Sequence, residues 1–599
     1  GRVLELAMGQ NKLLAALFLL VVFCGQSLAF GVRHRRDLQP KVPGVGGRVG
    51  GSVGTPLRSG LELYLFKRIG RFFGKKTAKV ANESAASDKS EEGKNDLPQP
   101  RMSRPKKFGA QRIDENVSVC IIGGGVSGLS AAISGCKGLG KVPDCKVVIL
   151  EADDSVGGRV KSDTTDDGYT LDRGFAVFIE AYPEAQKLLN YDELQLGRFL
   201  PGALVKIRKS RTTLARVGDP LRQPNELIPT LLSPVGDIFD KLGFFELVLN
   251  LKSRTIEELF LEKETSTLDA LKLKWRISNV MLDRFFKPFL EGIYLTTLEE
   301  QSSRMLFFVL KMFGEDSVSL PKGGIGAIAD QLASAAQDAG TEIRLNTTVV
   351  EVVSNEDKTF TVVAKQGKRI QSDAVVIATD GMIAERLISQ LDGFESLKEL
   401  PSQPQRSVGC LYYGFKGEPP VKEPILILNG IGDARGKPEN PINNICFPSA
   451  VAEGYAPEGY SLCSVTVLKD AMDHYKGKDE ALDTAVRQEL GSWFPSRKAE
   501  ILDDWQLKRI YNIKNAQPAQ FQGPFPANVN GGRPTGEYRG KSLPTGLFVC
   551  GDHMASSTLN GALESGGQAG VAVSKSLPKK QVGTEKASTT KPKGTAVGV

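Results

Sequence analysis

The sequence predicts an α/β fold: a parallel sheet with helices on both faces, interleaved along the chain with a second, α+β domain. Three observations predict it. A short apolar run, 117–122, leads into spaced glycines and then helix-forming residues, the strand–turn–helix order of a Rossmann-type unit. Long apolar-periodic stretches with little strand composition fill 186–317. Further apolar runs at 373–379 and 547–551 have the near-continuous composition of strands buried on both faces.

The first unit carries the most chemistry. Gly123, Gly125 and Gly128 are spaced G-x-G-x-x-G, and a helix-forming stretch, 129–134, follows. Gly123 permits the tight turn, Gly125 lets the backbone approach a pyrophosphate, and Gly128 lets helix and strand pack closely. The helix N-terminus offers amide groups and positive dipole to phosphates. A second apolar run, 146–150, ends in Glu151, 28 residues past Gly123. A carboxylate there can accept hydrogen bonds from both ribose hydroxyls of an adenosine, and its charge repels a 2′-phosphate.

Taken in order, the 599-residue chain is long enough for two large cores, and its 41% hydrophobic and 24% charged composition is globular. The formal charge of +8 belongs to the ends. Residues 1–112 carry 21 Lys and Arg against 8 Asp and Glu, the tail from Lys575 carries 6 against 1, and the body between them is net acidic. Nucleic acid is therefore excluded as a partner of the folded part. The expected start is Met8. Lys12, the apolar run 13–24 and the small residues Ser27-Leu28-Ala29 then form a signal peptide. The following segment is rich in arginine and lysine, like a transit peptide, and such a bipartite leader predicts delivery to a plastid; plain secretion is the alternative. The eight cysteines show no CxxC pair, which fits a reducing interior. Residues 61–73 form either a membrane-touching amphipathic helix or ordinary transit-peptide composition, and 80–112 read as a disordered linker.

Within the body, 228–252, 266–290 and 302–313 are expected helices, dense in phenylalanine. A helix at 325–336 precedes a β-pair around 349–363 and the buried strand 373–379. Strand-like runs at 407–415 and 461–468 then flank a helix at 478–490, and 519–540 is an expected loop.

Three further stretches carry a resemblance. They are Gly157-Gly158-Arg159 with Gly168-Tyr-Thr-Leu-Asp172-Arg173-Gly174; the segment 320–352; and 547–570, where Gly551-Asp552 ends a strand and Gly561-Ala562 opens a helix. Together they resemble the flavin-containing amine oxidase superfamily, which also holds protoporphyrinogen oxidases and phytoene desaturases. The resemblance implies an FAD-dependent oxidoreductase with FAD held non-covalently. Gly158 and Arg159 would lie near the flavin or pyrophosphate, the Val349 backbone near the adenine, Gly551 and Asp552 at the ribitol, and Gly561 and Ala562 at the helix end facing the flavin. With the leader read above, which gives a signal-peptide part (1–29) and a transit segment with linker (30–115), the resemblance divides the body into FAD-binding parts 116–185, 318–396 and 543–574. Substrate-domain parts occupy 186–317 and 397–542, and a disordered tail 575–599.

Among its members, amine oxidation uses two aromatic rings facing the flavin. The matching approach here is Trp505 and Tyr511 before Ala516-Gln517-Pro518, and no aromatic stands at Thr558-Leu559-Asn560. With the phenylalanine-rich cap, this favours a hydrophobic carotenoid-like or porphyrinogen-like substrate. An amine oxidase releasing peroxide and a non-catalytic flavin-binding protein are the alternatives. The catalytic residues stay unassigned, no metal site is expected, and His553 is either a proton acceptor near the flavin or a strand-end bonding partner.

Overall fold

Consecutive apolar residues make β1 (Glu115–Ile122), which enters the glycine turn and helix α1 (Val126–Leu139) before β2 (Val147–Leu150). The computed structural model describes residues 112–577, apart from 140–144, 175–176, 208–213 and 522–534, and all of these fall in one unit, Gln111–Val599. The leader, the linker up to 111, the stretch 61–73 and the tail beyond 577 lie outside them, and β1 begins at Glu115, one residue inside the expected linker. After the second domain's first excursion the chain returns through α2 (Gly326–Asp338), β3 (Thr341–Arg344), β4 (Val349–Ser354), β5 (Phe360–Ala364) and β6 (Arg369–Ile377). It closes with β7 (Leu547–Val549) and α3 (Leu559–Ser576).

These strands form one sheet in the order β3-β2-β1-β6-β5-β4. β3, β2, β1 and β6 run parallel. The nine-residue β6 divides its outer edge between two partners. Its first half pairs antiparallel with β5, Val363 opposite Arg369, and its last three residues pair parallel with β7, Ile377 opposite Val549. A terminal segment is thereby stitched into the sheet that the first segment began. Both faces are covered, so neighbouring residues of β1 feed different cores. Val119 and Ile121 pack with Leu129, Ile133, Leu332 and Leu563 of the three helices. Cys120 and Ile122 pack with Leu387 and Ile388 of the helix Gly381–Ile388 on the other side.

The second domain is a seven-stranded sheet of Gln506–Pro518, Gln405–Lys416, Tyr460–Leu468, Ile442–Cys446, Leu426–Asn429, Gly202–Lys206 and Leu214–Gly218, in that spatial order. The last two correct the expectation that 186–317 is helical. Five-residue strands are too short to announce a period of two, and Gly202–Lys206 is fixed by parallel pairing with Leu426–Asn429, distant in sequence. The expected helix 228–252 is broken at Ser233-Pro234-Val235-Gly236. There proline withholds a donor, and Gly236 takes φ +76°. A capping box restarts it as Ile238–Lys252: Asp237 accepts from the amides of Phe239 and Asp240, and Asp240 accepts from Asp237 in return. The stretch 266–290 is likewise divided into short turns before Lys287–Tyr294, with Arg276 at φ +56° between them. At the C-terminal end, α3 runs to Ser576, two residues past the expected boundary at 574. Cys120, Cys145, Cys410, Cys446, Cys463 and Cys550 are free thiols.

One buried acid in the second domain carries a pH dependence. Glu489, on the helix Asp479–Trp493, accepts hydrogen bonds from Asn429 Nδ2 and the Ile442 amide, each at 2.9 Å. Burial outweighs these bonds and pushes its carboxyl from an ordinary 4.5 up to about 8. Below the ordinary value both folded and unfolded chains are protonated. As pH rises the unfolded chain ionises first, so stability is lost between about 4.5 and about 8, a few kcal/mol in all. Thermal midpoints measured across this window should fall in the parent and flatten in Glu489→Gln. Parallel curves would contradict the assignment.

Candidate functional site

The glycine loop of the first unit is built from close contacts. Gly123 sits at φ +107°, and a Cβ there would lie 2.8 Å from the Ala378 carbonyl oxygen. A Cβ on Gly128 would lie 2.0 Å from the Gly123 carbonyl oxygen, so helix and turn meet backbone to backbone. Gly125 differs, since a Cβ there meets nothing nearer than 4.0 Å. That opening, beside the first amides of α1, fits a pyrophosphate. Glu151 is buried at the end of β2. Its Oε2 accepts from the Gly124 amide at 2.6 Å and its Oε1 from the Asp153 amide at 2.9 Å, which fixes the carboxylate against the loop. The chain entering β4 crosses the same place: the amides of Thr347 and Asn346 donate to the carbonyls of Glu151 and Asp153, and Val349 follows, buried.

The Gly157-Gly158 turn lies on the loop, with the Gly157 amide donating to the Gly124 carbonyl at 2.9 Å. It delivers Arg159 to Asp552. The guanidinium donates to both carboxylate oxygens, at 2.7 and 2.8 Å, and to the Ala516 carbonyl at 3.1 Å. Partial loss of water around the guanidinium opposes its charge, yet the Asp552 carboxylate beside it makes Arg159 hold its proton more firmly than usual. Three separated pieces of chain are thus joined at one ion pair.

The start of α3 carries its own cap. The Gly561 amide donates to Thr558 Oγ1 at 3.1 Å and the Ala562 amide to the Thr558 carbonyl at 3.0 Å. Thr558 thus caps the helix with its side chain, and its carbonyl takes the first bond of the helical ladder, while the end as a whole offers a cofactor its positive dipole. Gly561 serves packing, since a Cβ on it would lie 2.1 Å from the Ser556 carbonyl oxygen. Gly551, at φ +149°, donates its amide to Ser565 Oγ and so anchors the turn before Asp552.

Two expectations shift. Trp505 stacks on Phe415 at 4.1 Å in the core of the second domain, and Tyr511 donates its hydroxyl to Asp163 at 2.7 Å. His553 turns its ring toward Gly381 and lies edge-on to Tyr538, in a recess shared with Met382 and Arg539. Five cap phenylalanines pack on one another: Phe244, Phe285, Phe286, Phe289 and Phe313 form one chain of ring contacts.

Sequence reasoning also missed three organising residues. Asp172 is buried and accepts from Ser162 Oγ, the Ile325 amide and the Tyr455 hydroxyl, tying the second and third motifs to the other domain. Gln520 bridges the Ala555 carbonyl and the Ser557 amide. Asn560 accepts from the Glu184 amide at 2.9 Å. A polar residue inside an otherwise apolar or glycine-rich motif was the available signal for Asp172 and Asn560. Nothing marked Gln520.

Comparison with known proteins agrees with this geometry. Over 331 residues the chain is 24% identical to a coproporphyrinogen III oxidase of Bacillus subtilis, spanning 50% of this chain and 67% of that one. Over 439 residues it is 23% identical to a 4,4'-diapolycopen-4-al dehydrogenase of Metabacillus indicus, spanning 68% and 86%. Its fold is similar to that of cyclohexylamine oxidase from Brevibacterium oxydans, with a TM-score of 0.53 over 77% of this chain and 99% of that one, at 14% identity. The sequence profile described as "Flavin containing amine oxidoreductase" matches residues 126–574, three-quarters of the chain. With the glycine loop bonded to Glu151 and to the Gly157-Gly158 turn that delivers Arg159 to Asp552, the chain belongs to the flavin-containing amine oxidoreductase family and is an FAD-dependent oxidoreductase.

Proposed function

We propose that this chain oxidises a large, mainly apolar tetrapyrrole or isoprenoid. One observation carries the choice over amines: the rings offered by sequence for an amine-orienting pair, Trp505 and Tyr511, are committed to a core stack and to Asp163. The names of the relatives, on porphyrinogen and carotenoid substrates, support the same reading. FAD, when bound, would accept a hydride from the substrate. We assign Gly123, Gly125, Gly128 and the α1 amides to its pyrophosphate, Glu151 to its ribose and the segment before Val349 to its adenine. Gly158, Arg159, Gly551 and Asp552 would lie along the rest of it, with Gly561 and Ala562 at the α3 end. Arg159 enters this arrangement already oriented by two oxygens, so it loses little freedom when the cofactor binds. The helical cap excludes water. The purified protein should be yellow, and its flavin absorbance should bleach anaerobically with coproporphyrinogen III or 4,4'-diapolycopen-4-al. Bleaching by cyclohexylamine alone would favour an amine oxidase, and bleaching by none of them a binding protein.

Exposed apolar side chains on the cap support a peripheral membrane contact. Leu232, Phe239, Leu261 and Leu273 are 75%, 69%, 86% and 77% exposed. The nearby ammonium of Lys241 is turned inward onto the carbonyls of Leu231 and Ser233. The Lys274–Glu262 ion pair brings the turns of Leu261 and Leu273 together. No helix among the described residues is long and apolar enough to cross a bilayer, so the contact would be superficial. The occupant is a lipid surface, from which an apolar substrate would be drawn. Sedimentation with phosphatidylcholine–phosphatidylglycerol vesicles should carry the parent down and leave Phe239→Asp largely in solution. A parent that stays in the supernatant would remove the proposal.

A further inference from the structure

Resting on the substrate reading above, one buried hydroxyl narrows the substrate class. Tyr294 ends the helix Lys287–Tyr294 and is 3% exposed, yet among the described residues its Oη has no hydrogen-bond partner. An unmade bond on a buried polar atom is costly, and folded proteins rarely leave one without a reason. Its location supplies the reason. The preceding carbonyl, of Ile293, accepts from Gln517 Nε2 at 3.0 Å, and the carbonyl before that glutamine, of Ala516, accepts from Arg159. From the other side, Tyr182 is close enough to influence the ionisation of Tyr294, and two residues on, the Glu184 amide is held by Asn560 at the start of α3. The backbone at Tyr294 therefore stands where the cap meets the end of the strand Gln506–Pro518, two residue links from the Arg159–Asp552 pair. Burial, aided by Tyr182, keeps the phenol protonated, so it can both donate and accept.

Other buried polar atoms in this state are placed differently. Trp275 Nε1 lies in the cap, where the Trp275 backbone abuts Gly243, and Arg435 Nε belongs to a side chain already bonded to Glu291 and Asn443.

We propose that Tyr294 is a specificity-determining residue whose hydroxyl pairs with a heteroatom of the substrate, a pyrrole N–H or carboxylate of a tetrapyrrole, which a pure polyene hydrocarbon lacks. A site built to hydrogen-bond one ligand group rejects analogues without it, because its own polar atom is then left buried and unpaired.

The test is equilibrium binding of coproporphyrin III, the aromatised and non-reducing form, to the flavin-loaded protein, followed by porphyrin fluorescence. Tyr294→Phe should weaken binding roughly five- to twentyfold, the span of about one hydrogen bond. Flavin content and thermal midpoint should stay unchanged, because no protein partner is lost. Binding of 4,4'-diapolycopene should be weak in the parent and no weaker in the variant. Equal porphyrin affinity in parent and variant would overturn the role of Tyr294 while leaving the substrate reading intact. A lowered thermal midpoint would overturn it by revealing a structural bond. A parent that binds no porphyrin would sink both.

Discussion

Gly128→Ala should yield a chain without flavin and less stable by roughly 3 kcal/mol or more. The added methyl would lie 2.0 Å from the Gly123 carbonyl oxygen and 3.3 Å from Ala378 Cβ, against backbone that cannot rotate away. Relief requires α1 to lift from the turn, which moves its first amides off the opening at Gly125. The matched control is Gly125→Ala. Its methyl meets no protein atom within 4.0 Å, so the fold should survive while flavin affinity falls, because the methyl occupies the cofactor's approach. Thermal midpoints and flavin-to-protein ratios after desalting separate the two. Equal loss of stability in both variants would mean that the loop is not divided in this way.

The second large effect is expected at Arg159. Arg159→Ala leaves the Asp552 carboxylate, 8% exposed, without either of its two charge-assisted bonds. The arginine is itself 38% exposed, so solvent repays part of the loss, and the expected destabilisation is roughly 1–3 kcal/mol. Flavin retention should fall at least tenfold, since the Gly157-Gly158 turn and the start of α3 lose their common tie. Arg159→Lys should recover only part of both, because an ammonium cannot make two parallel bonds to one carboxylate. The double variant Arg159→Ala/Asp552→Ala should be more stable than the sum of the single changes predicts. Strict additivity would show that the pair is incidental.

Legibility in the sequence followed the range of the forces involved. The cofactor half was readable because its requirements are local: a turn that only glycine can make, a carboxylate one strand away, and a helix beginning at a set position. Glu151 and the glycines lie where their spacing puts them. The second domain was less readable because its strands are defined by partners far along the chain. Gly202–Lys206 is too short to show a strand period of its own and becomes a strand by pairing with Leu426–Asn429. The aromatic residues show the same limit from another side. Trp505 has the right neighbours in sequence for a ring beside the flavin, but its side chain falls on the face of Gln506–Pro518 and its neighbours that packs into the domain's own core. Tyr294 carried no motif at all, and only its missing partner distinguishes it.

The contact between α1 and α3 bears on how such a chain is made. A Cβ on Gly566 would lie 2.1 Å from the Ser127 carbonyl oxygen, and one on Gly570 would lie 2.3 Å from that of Ala131, so the two helices cross at backbone distance. Among the described residues, the first helix to leave the ribosome thus waits for the last before one of its sides is shielded, while more than four hundred residues are synthesised between them. Nascent chains halted before 559 should expose 126–139 to protease and carry no flavin, and release of the finished C-terminus should end both conditions together.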